Sequence, residues 1–455
     1  MKKNVVLITV DCLRSDHLSC FGYHMTTSPN IDNLAKKGAL FNQAIANGPN
    51  TFCSFPSILT STYSLMNLSR KEKNLPPNWI FIPKERPTIA EVLKTAGYST
   101  AAFHTNPWIS SFFNYDKGFD LFEDFLDRVG KSLILRQVSF KHRALFYLRL
   151  LKGLGKLLKK QDINIKCLNQ MAISWLERYN PKPFFLWLHY MDLHAPYVPP
   201  NPSISELLTA IKIQIEIERT SKCSSEHYLK FLKRFYDEKI MFVDKEIGTF
   251  LSELEKLGFS HENTYIILTA DHGEQFMEHG FVGHGLLYDE VIHVPLIICG
   301  PEIEENVVIE EQVELLDICP TIINLLKLSR IKSFMGKSLL PLIKNERSRK
   351  EGVISESIAD NGWKNYSFRT KQWKYILLLD GNGQMRREEL YDLQNDPSER
   401  RNLIRKEKRI AKKLKAHIQR HIAMEETHAQ FEIKPKIDQK EKALIEKKLR
   451  SLGYL

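Results

Sequence analysis

The stretch NVVLITVDCL, residues 4–13, decides the fold. From Val5 to Val10 it is an unbroken apolar and β-branched run without period-two alternation, the pattern of a strand buried on both faces of a parallel sheet. It stops at Asp11 and Cys12. Four more runs read the same way: STAAFHT (99–105), PFFLWLHY (183–190), TYIILTA (264–270) and VPLIICG (294–300). Helical patterns lie between them. IDNLAKKG is framed by Ser28-Pro29-Asn30 and Gly38, and PTIAEVLKTAGY by Pro87 and Gly97. Residues 224–257 place Phe231, Phe235, Ile240, Val243, Ile247 and Leu251 at helical spacing. This alternation predicts an α/β fold: a large, mostly parallel sheet with helices on both faces. Farther on, WKYILLLDGNGQMRREELYDL predicts a hairpin turning at Gly381-Asn382-Gly383. The expected division is a catalytic domain over 1–345, with a basic helical insertion near 128–165, and a small α+β part over 346–455 carrying the hairpin and a basic helical tail.

With 43% hydrophobic and 26% charged residues in 455, the chain has the composition of a folded globular protein. The opening apolar run is too short, and charged too soon, for a signal peptide, and no stretch reaches the length that spans a bilayer. The seven cysteines are odd in number and scattered, which predicts free thiols in a reducing, cytoplasmic setting. The net charge is +11, and residues 128–160 carry only basic charges among apolar residues. That segment reads as an amphipathic helical stretch with a solvated basic face, and it also suits peripheral contact with a membrane or another anionic surface. A small anionic substrate fits the overall charge, no nucleic acid partner is expected, and the sequence carries no signal for oligomeric state.

In open parallel sheets, ligands bind beyond the carboxyl ends of the strands. Four runs here end in polar residues: Asp11 and Cys12; His104, Thr105 and Asn106; Asp192 and His194; Asp271 and His272. One such Asp alone could be a helix or turn cap. Together they form an oxygen and nitrogen donor set suited to a divalent cation, with Asp11, Asp271 and His272 as the best ligands.

These residues sit in islands that keep one order: NVVLITVDCLRSDHLSCFGY, TTSPNIDNLAKKG, AEVLKTAGYSTAAF, PFFLWLHYMDLHAPYVPP, ILTADHGE, GHGLLYDEVIHVPLII and ELYDLQNDPSERRNL. That succession resembles the sulfatase family within the alkaline phosphatase superfamily. The resemblance implies a metal-dependent hydrolase of sulfuric or phosphoric esters, in which a metal ion meets one oxygen of the ester and aligns a nucleophile. Asp11, Asp271 and His272 then match metal ligands. His194 matches a histidine contacting the ester, and His284 falls where the family has a lysine or histidine on the same group, able when protonated to act as general acid. Ca²⁺ is the first expectation for the ion, with Mg²⁺, Mn²⁺ and Zn²⁺ as alternatives. Two other readings are a phosphoryl-group transferase of the superfamily and a non-catalytic sulfatase-like binding protein.

The nucleophile comes from NGPNTFCSFPSILTS, residues 47–61. Aligning ILTS with the family's LLTG puts Thr51 on the nucleophile, where sulfatases carry the Cys or Ser of Cys-x-Pro-Ser-Arg that becomes formylglycine. Here the residues are Thr51-Phe52-Cys53-Ser54-Phe55, so formylglycine is not expected. A metal-activated Thr51 hydroxyl is the expected nucleophile, with Cys53 or no covalent step as alternatives. Cys12 replaces the second carboxylate of many sulfatases. Thr105-Asn106-Pro107 replaces a Lys-x-His, which makes His104 and Asn106 candidate substrate contacts; a packed strand residue is the other role for His104. His189 and Asp192 are read as supports, and His279 and His293 as either supports or structure.

Overall fold

The computed structural model describes residues 2–68, 76–125, 163–346, 350–428 and 439–452. The basic stretch 128–160, with its expected surface contact, lies outside the described residues.

Strand β1 (Asn4–Val10) is buried at every position, as its unbroken apolar run requires. Further strands follow: β2 (Gly38–Ile45), β3 (Ser99–Phe103), β4 (Leu121–Glu123), β5 (Phe184–Tyr190) and β6 (Thr264–Ala270). After a small antiparallel ribbon of β7 (Gln275–Phe276) and β8 (Val282–Gly283) come β9 (His293–Val294), β10 (Leu296–Cys299) and β11 (Val307–Glu314). Apart from the ribbon, these form a nine-stranded sheet in the order β11-β2-β10-β6-β1-β5-β3-β4, with β9 paired to β2. β1 lies parallel between β5 and β6, and Val10 pairs with both Tyr190 and Ala270. Three central strands therefore end level, so the residues after each emerge at one edge.

The helices are α1 (Pro29–Lys36), α2 (Thr51–Thr60), α3 (Ile89–Thr95), α4 (Ile165–Tyr179), α5 (Ile204–Thr220), α6 (Glu226–Lys256) and α7 (Ile318–Leu325), then α8 (Lys408–His428) and α9 (Gln439–Leu452). Alternation along β5 shows that both faces are covered. Phe55 of α2 meets Trp187 and His189, while Trp175 and Asn169 of α4 meet Phe184 and Tyr190. The first pair of strand residues points to one face and the second pair to the other.

The sheet is mixed, with β10 running antiparallel to β2 and β6 among mostly parallel strands. Gly38 is a correction. It does not close the helix, which ends at Lys36, but opens β2. A Cβ on Gly38 would lie 2.4 Å from the Ile298 carbonyl oxygen, so the close approach of β10 is what requires glycine there.

Strands β12 (Val353–Ile358), β13 (Lys364–Arg369), β14 (Trp373–Leu379) and β15 (Met385–Asp392) form an antiparallel sheet in chain order. The β14–β15 turn lies where Gly381-Asn382-Gly383 predicts it: Gly383 has φ +77°, and the Asp380 carboxylate accepts from the Asn382 and Gln384 amides. This sheet is tied to the large one by Asn47 Nδ2 on the Ile354 carbonyl (3.0 Å) and by Arg369 paired with Asp289 (2.8 Å). Glu356 accepts from the Ser64 hydroxyl and the Leu65 amide, and its other oxygen meets His421 Nε2 of α8 at 2.6 Å. No helix among the described residues is long and apolar enough to cross a membrane.

Candidate active site

Asp11, Asp271 and His272 stand on adjacent strand ends and are fully buried, with one ligand atom from each lying within 4.8 Å of the others. His272 Nδ1 donates to the Gly273 carbonyl at 2.8 Å, which fixes the tautomer and leaves Nε2 as an acceptor. That Nε2 faces two other acceptors, Asp11 Oδ1 at 3.3 Å and Asp271 Oδ2 at 3.6 Å. Lone pairs converging in a buried cluster repel unless a proton or a cation lies among them. Burial holds His272 down at about 4, which leaves its imidazole neutral near neutral pH and suited to ligation. Burial, and next the Asp11 charge, push Asp271 well above the usual carboxylate range, while Asp11 is held low by the surrounding imidazoles against its own burial. Asp11 Oδ2, Asp271 Oδ2 and His272 Nε2 have no hydrogen-bond partner. The donor set therefore fits a divalent cation.

Thr51 opens α2 beside this group. Asn50 caps the helix by accepting from the Cys53 amide at 3.1 Å, leaving Thr51 in the first turn, where the helix field favours an anion. The Thr51 hydroxyl lies beside the Asp271 carboxylate and moderates its upward shift. It also receives a bond of 3.2 Å from Asn106 Nδ2, whose orientation is set because Asn106 Oδ1 accepts from the Trp108 amide. Cys53 is buried two residues on, with its thiol pushed far above the ordinary range by that burial.

His284 and His194 complete the edge, their ring centroids 5.8 Å apart, and His284 lies 4.4 Å from the His272 ring. Burial opposes charge on His284, but Glu274, with Oε1 3.3 Å from Nδ1, outweighs it and raises the imidazole above its usual range. His194 is lowered by burial and bonds the Ala195 carbonyl through Nδ1 at 2.9 Å. His104 lies apart from the other candidates: it stacks on Trp187 with centroids 5.4 Å apart, and neither ring nitrogen has a hydrogen-bond partner. His189 pairs with Thr9, Asp192 accepts from the Ile165 amide, His279 stacks on Tyr288 and His293 meets the Asn42 carbonyl.

Several participants escape sequence reasoning. Glu274 also receives the Tyr197 hydroxyl, and Arg14 donates to its carbonyl. The only sequence signal for it is its place in DHGE; Gly273 before it is needed because a Cβ there would meet the Glu290 carbonyl oxygen at 2.3 Å. Lys239, brought low to about 8 by burial, donates to the His194 and Pro196 carbonyls and fixes that loop. Phe55, at the position of the family's arginine, packs edge-on against His189.

An open α/β sheet with acids and imidazoles gathered around a helix-terminal hydroxyl defines an ester hydrolase of the alkaline phosphatase type. Residues 3–328 match the model of the sulfatase family, and residues 277–426 match that of the N-sulphoglucosamine sulphohydrolase C-terminal region. The chain belongs to the sulfatase family, in which dependence on a metal is general. Arylsulfatase K of Mus musculus is 26% identical over 446 residues, covering 88% of this chain and 76% of its own. An arylsulfatase of Clostridium perfringens is 27% identical over 452 residues, covering 90% and 91%. Among solved structures, the phosphonate monoester hydrolase of Agrobacterium radiobacter superposes with a TM-score of 0.69 at 19% identity, covering 94% of this chain and 96% of that one. A protein in complex with its substrate D-glucosamine-2-N,6-O-disulfate superposes with 0.69 at 19%, covering 96% and 100%.

Proposed function

We propose that the protein hydrolyses a small anionic ester of sulfuric or phosphoric acid through attack by the Thr51 hydroxyl, with Asp11, Asp271 and His272 holding a divalent cation. The supporting observation is the placement of Thr51: its hydroxyl lies beside the Asp271 carboxylate of the buried group, and Asn106 Nδ2 donates to it at 3.2 Å. When bound, the cation supplies the positive charge that neutralises the ester oxygens and the attacking oxygen. Asp271 takes the Thr51 proton, and Thr51 Oγ1 bonds to the sulfur or phosphorus while the bond to the leaving oxygen breaks. His284, kept charged by Glu274, gives that oxygen a proton. His194 and the α2 N-terminus lie beside the ester anion. Thr51 carries one oxygen on Cβ, so its ester is released by a second displacement: water gives a proton to His284 and attacks the sulfur or phosphorus, and the bond to Thr51 Oγ1 breaks as Asp271 returns its proton to that oxygen. The free thiols support a cytoplasmic location.

Sulfate and phosphate mono- and diesters, assayed with added Ca²⁺, Mg²⁺, Mn²⁺ or Zn²⁺, test the reading. At least one class is turned over, and Thr51→Ala lowers that turnover by about a thousandfold or more. Full turnover by Thr51→Ala on every ester the native protein cleaves removes Thr51 as the nucleophile.

A further inference from the structure

The position beside Asp11 holds a thiol, and what surrounds it is a donor set of its own. Cys12 Sγ, a carboxylate oxygen of Asp11 and a ring nitrogen of His194 lie within 4.8 Å of one another, and all three residues are buried. The thiol is 3.4 Å from Asp11 Oδ1. Asp11 Oδ2 is enclosed and without a hydrogen-bond partner. His194 repeats the pattern of His272, its Nδ1 committed to a backbone carbonyl of its own loop so that Nε2 is the nitrogen suited to ligation. That loop is pinned by Lys239 Nζ, 2.9 Å from the His194 carbonyl oxygen.

The backbone at Cys12 is strained and held in place. Cys12 adopts φ 60°, a left-handed conformation that is unfavourable for a residue with a Cβ. Tyr236 holds it there, its hydroxyl donating to the Cys12 carbonyl at 2.6 Å and accepting from the Arg14 amide at 3.0 Å.

We infer that Cys12, His194 and Asp11 form a second cation site, one that selects a Zn²⁺-like transition ion, with Asp11 shared between it and the Asp271–His272 site. This deepens the proposed function and rests on it. Thiolate and imidazole donors favour Zn²⁺ or Co²⁺ over Ca²⁺, which takes oxygen ligands. Three protein ligands with room for a further group is the pattern of zinc sites that do chemistry. Loading releases the Cys12 thiol proton to solvent as the Sγ–metal bond forms. His284 Nδ1 lies 3.9 Å from the Cys12 thiol and also meets Glu274, so it borders this set.

Metal analysis of the purified full chain, dialysed against Zn²⁺, together with absorption spectra of the Co²⁺-loaded chain, tests the inference. The native protein holds two equivalents, and its Co²⁺ form shows a thiolate-to-cobalt charge-transfer band in the near ultraviolet. Cys12→Ser loses one equivalent and the band, whereas Cys53→Ser keeps both. Should Cys12→Ser melt too early to load, Cys12→Asp gives the same reading, keeping two equivalents while losing the band. One equivalent and no band in the native protein overturns the second site and leaves the proposed function standing; retention of the band in either Cys12 variant also overturns it. No bound ion at all removes both.

Discussion

Asp271 and Thr51 stand side by side, and substitution separates their proposed duties. Asp271→Asn is expected to lose bound metal and turnover together, while Thr51→Ala loses turnover and keeps the metal; metal content after dialysis, measured beside initial rates, checks both. His284 is the proposed proton donor, and against its burial Glu274 gives it a value above the ordinary imidazole range. The donor form exists below that value, so turnover of esters with poor leaving groups falls as pH rises through it. His284→Ala removes this alkaline limb and slows poor leaving groups by about a hundredfold or more, with activated aryl esters little affected. Equal losses on both classes exclude the role. Asp11, Asp271, His272 and Thr51 are legible in the sequence because each sits at a strand or helix end, where the backbone alone fixes position. Glu274, Tyr197 and Lys239 are not, because their partnerships arise where loops and a distant helix turn meet. His104 shows the limit from the other direction, since a strand-end position did not bring it to the cluster: Trp187 took its ring face.

Among the elements, α2 carries the most function per residue. Its cap, Asn50, bonds the Cys53 amide, and loss of that bond costs about 1 kcal/mol. Asn50→Ala is expected to lower kcat more than it raises KM, because the first turn holds Thr51; steady-state kinetics at matched metal loading check this. α8 is joined to the small sheet through His421 and Glu356, both buried. Burial opposes charge on each, but their contact outweighs it, raising His421 above 6.5 and lowering Glu356 below 4.5. The raised imidazole stabilises fully below its unfolded value and loses that contribution as pH rises through its folded value. The lowered carboxylate stabilises above its unfolded value and loses that contribution as pH falls through its folded value. Thermal stability from the pair therefore peaks in mild acid. His421→Leu strands a buried carboxylate and costs about 3–5 kcal/mol near neutral pH, read as a fall in Tm. The strands themselves were legible where both faces are buried, as in β1, β5 and β6. The edge strand β11, half exposed and without an apolar run, carries no such signal, and the direction of β10 is set by its neighbours.

Across the whole molecule, stability is expected to depend on the cation proposed at the buried acids. A ligand present at a thousand times its Kd stabilises by about 4 kcal/mol. Chelation is expected to lower Tm, and readdition of the ion to restore it; a Tm indifferent to chelator excludes a tightly held cation at Asp11, Asp271 and His272. The family and the layered fold were legible at this scale, because the order of the motifs survives along the chain even where single residues have changed.

The level ends of β1, β5 and β6 have one more consequence. Thr51 leaves the ribosome early and Asp271 some two hundred residues later, yet they meet only once β6 has docked beside β1. No contiguous half of the polypeptide holds Asp11, Asp271 and His272 together, so uptake of the cation proposed at that trio waits for synthesis past β6, and a nascent chain stalled before that point lacks the proposed centre.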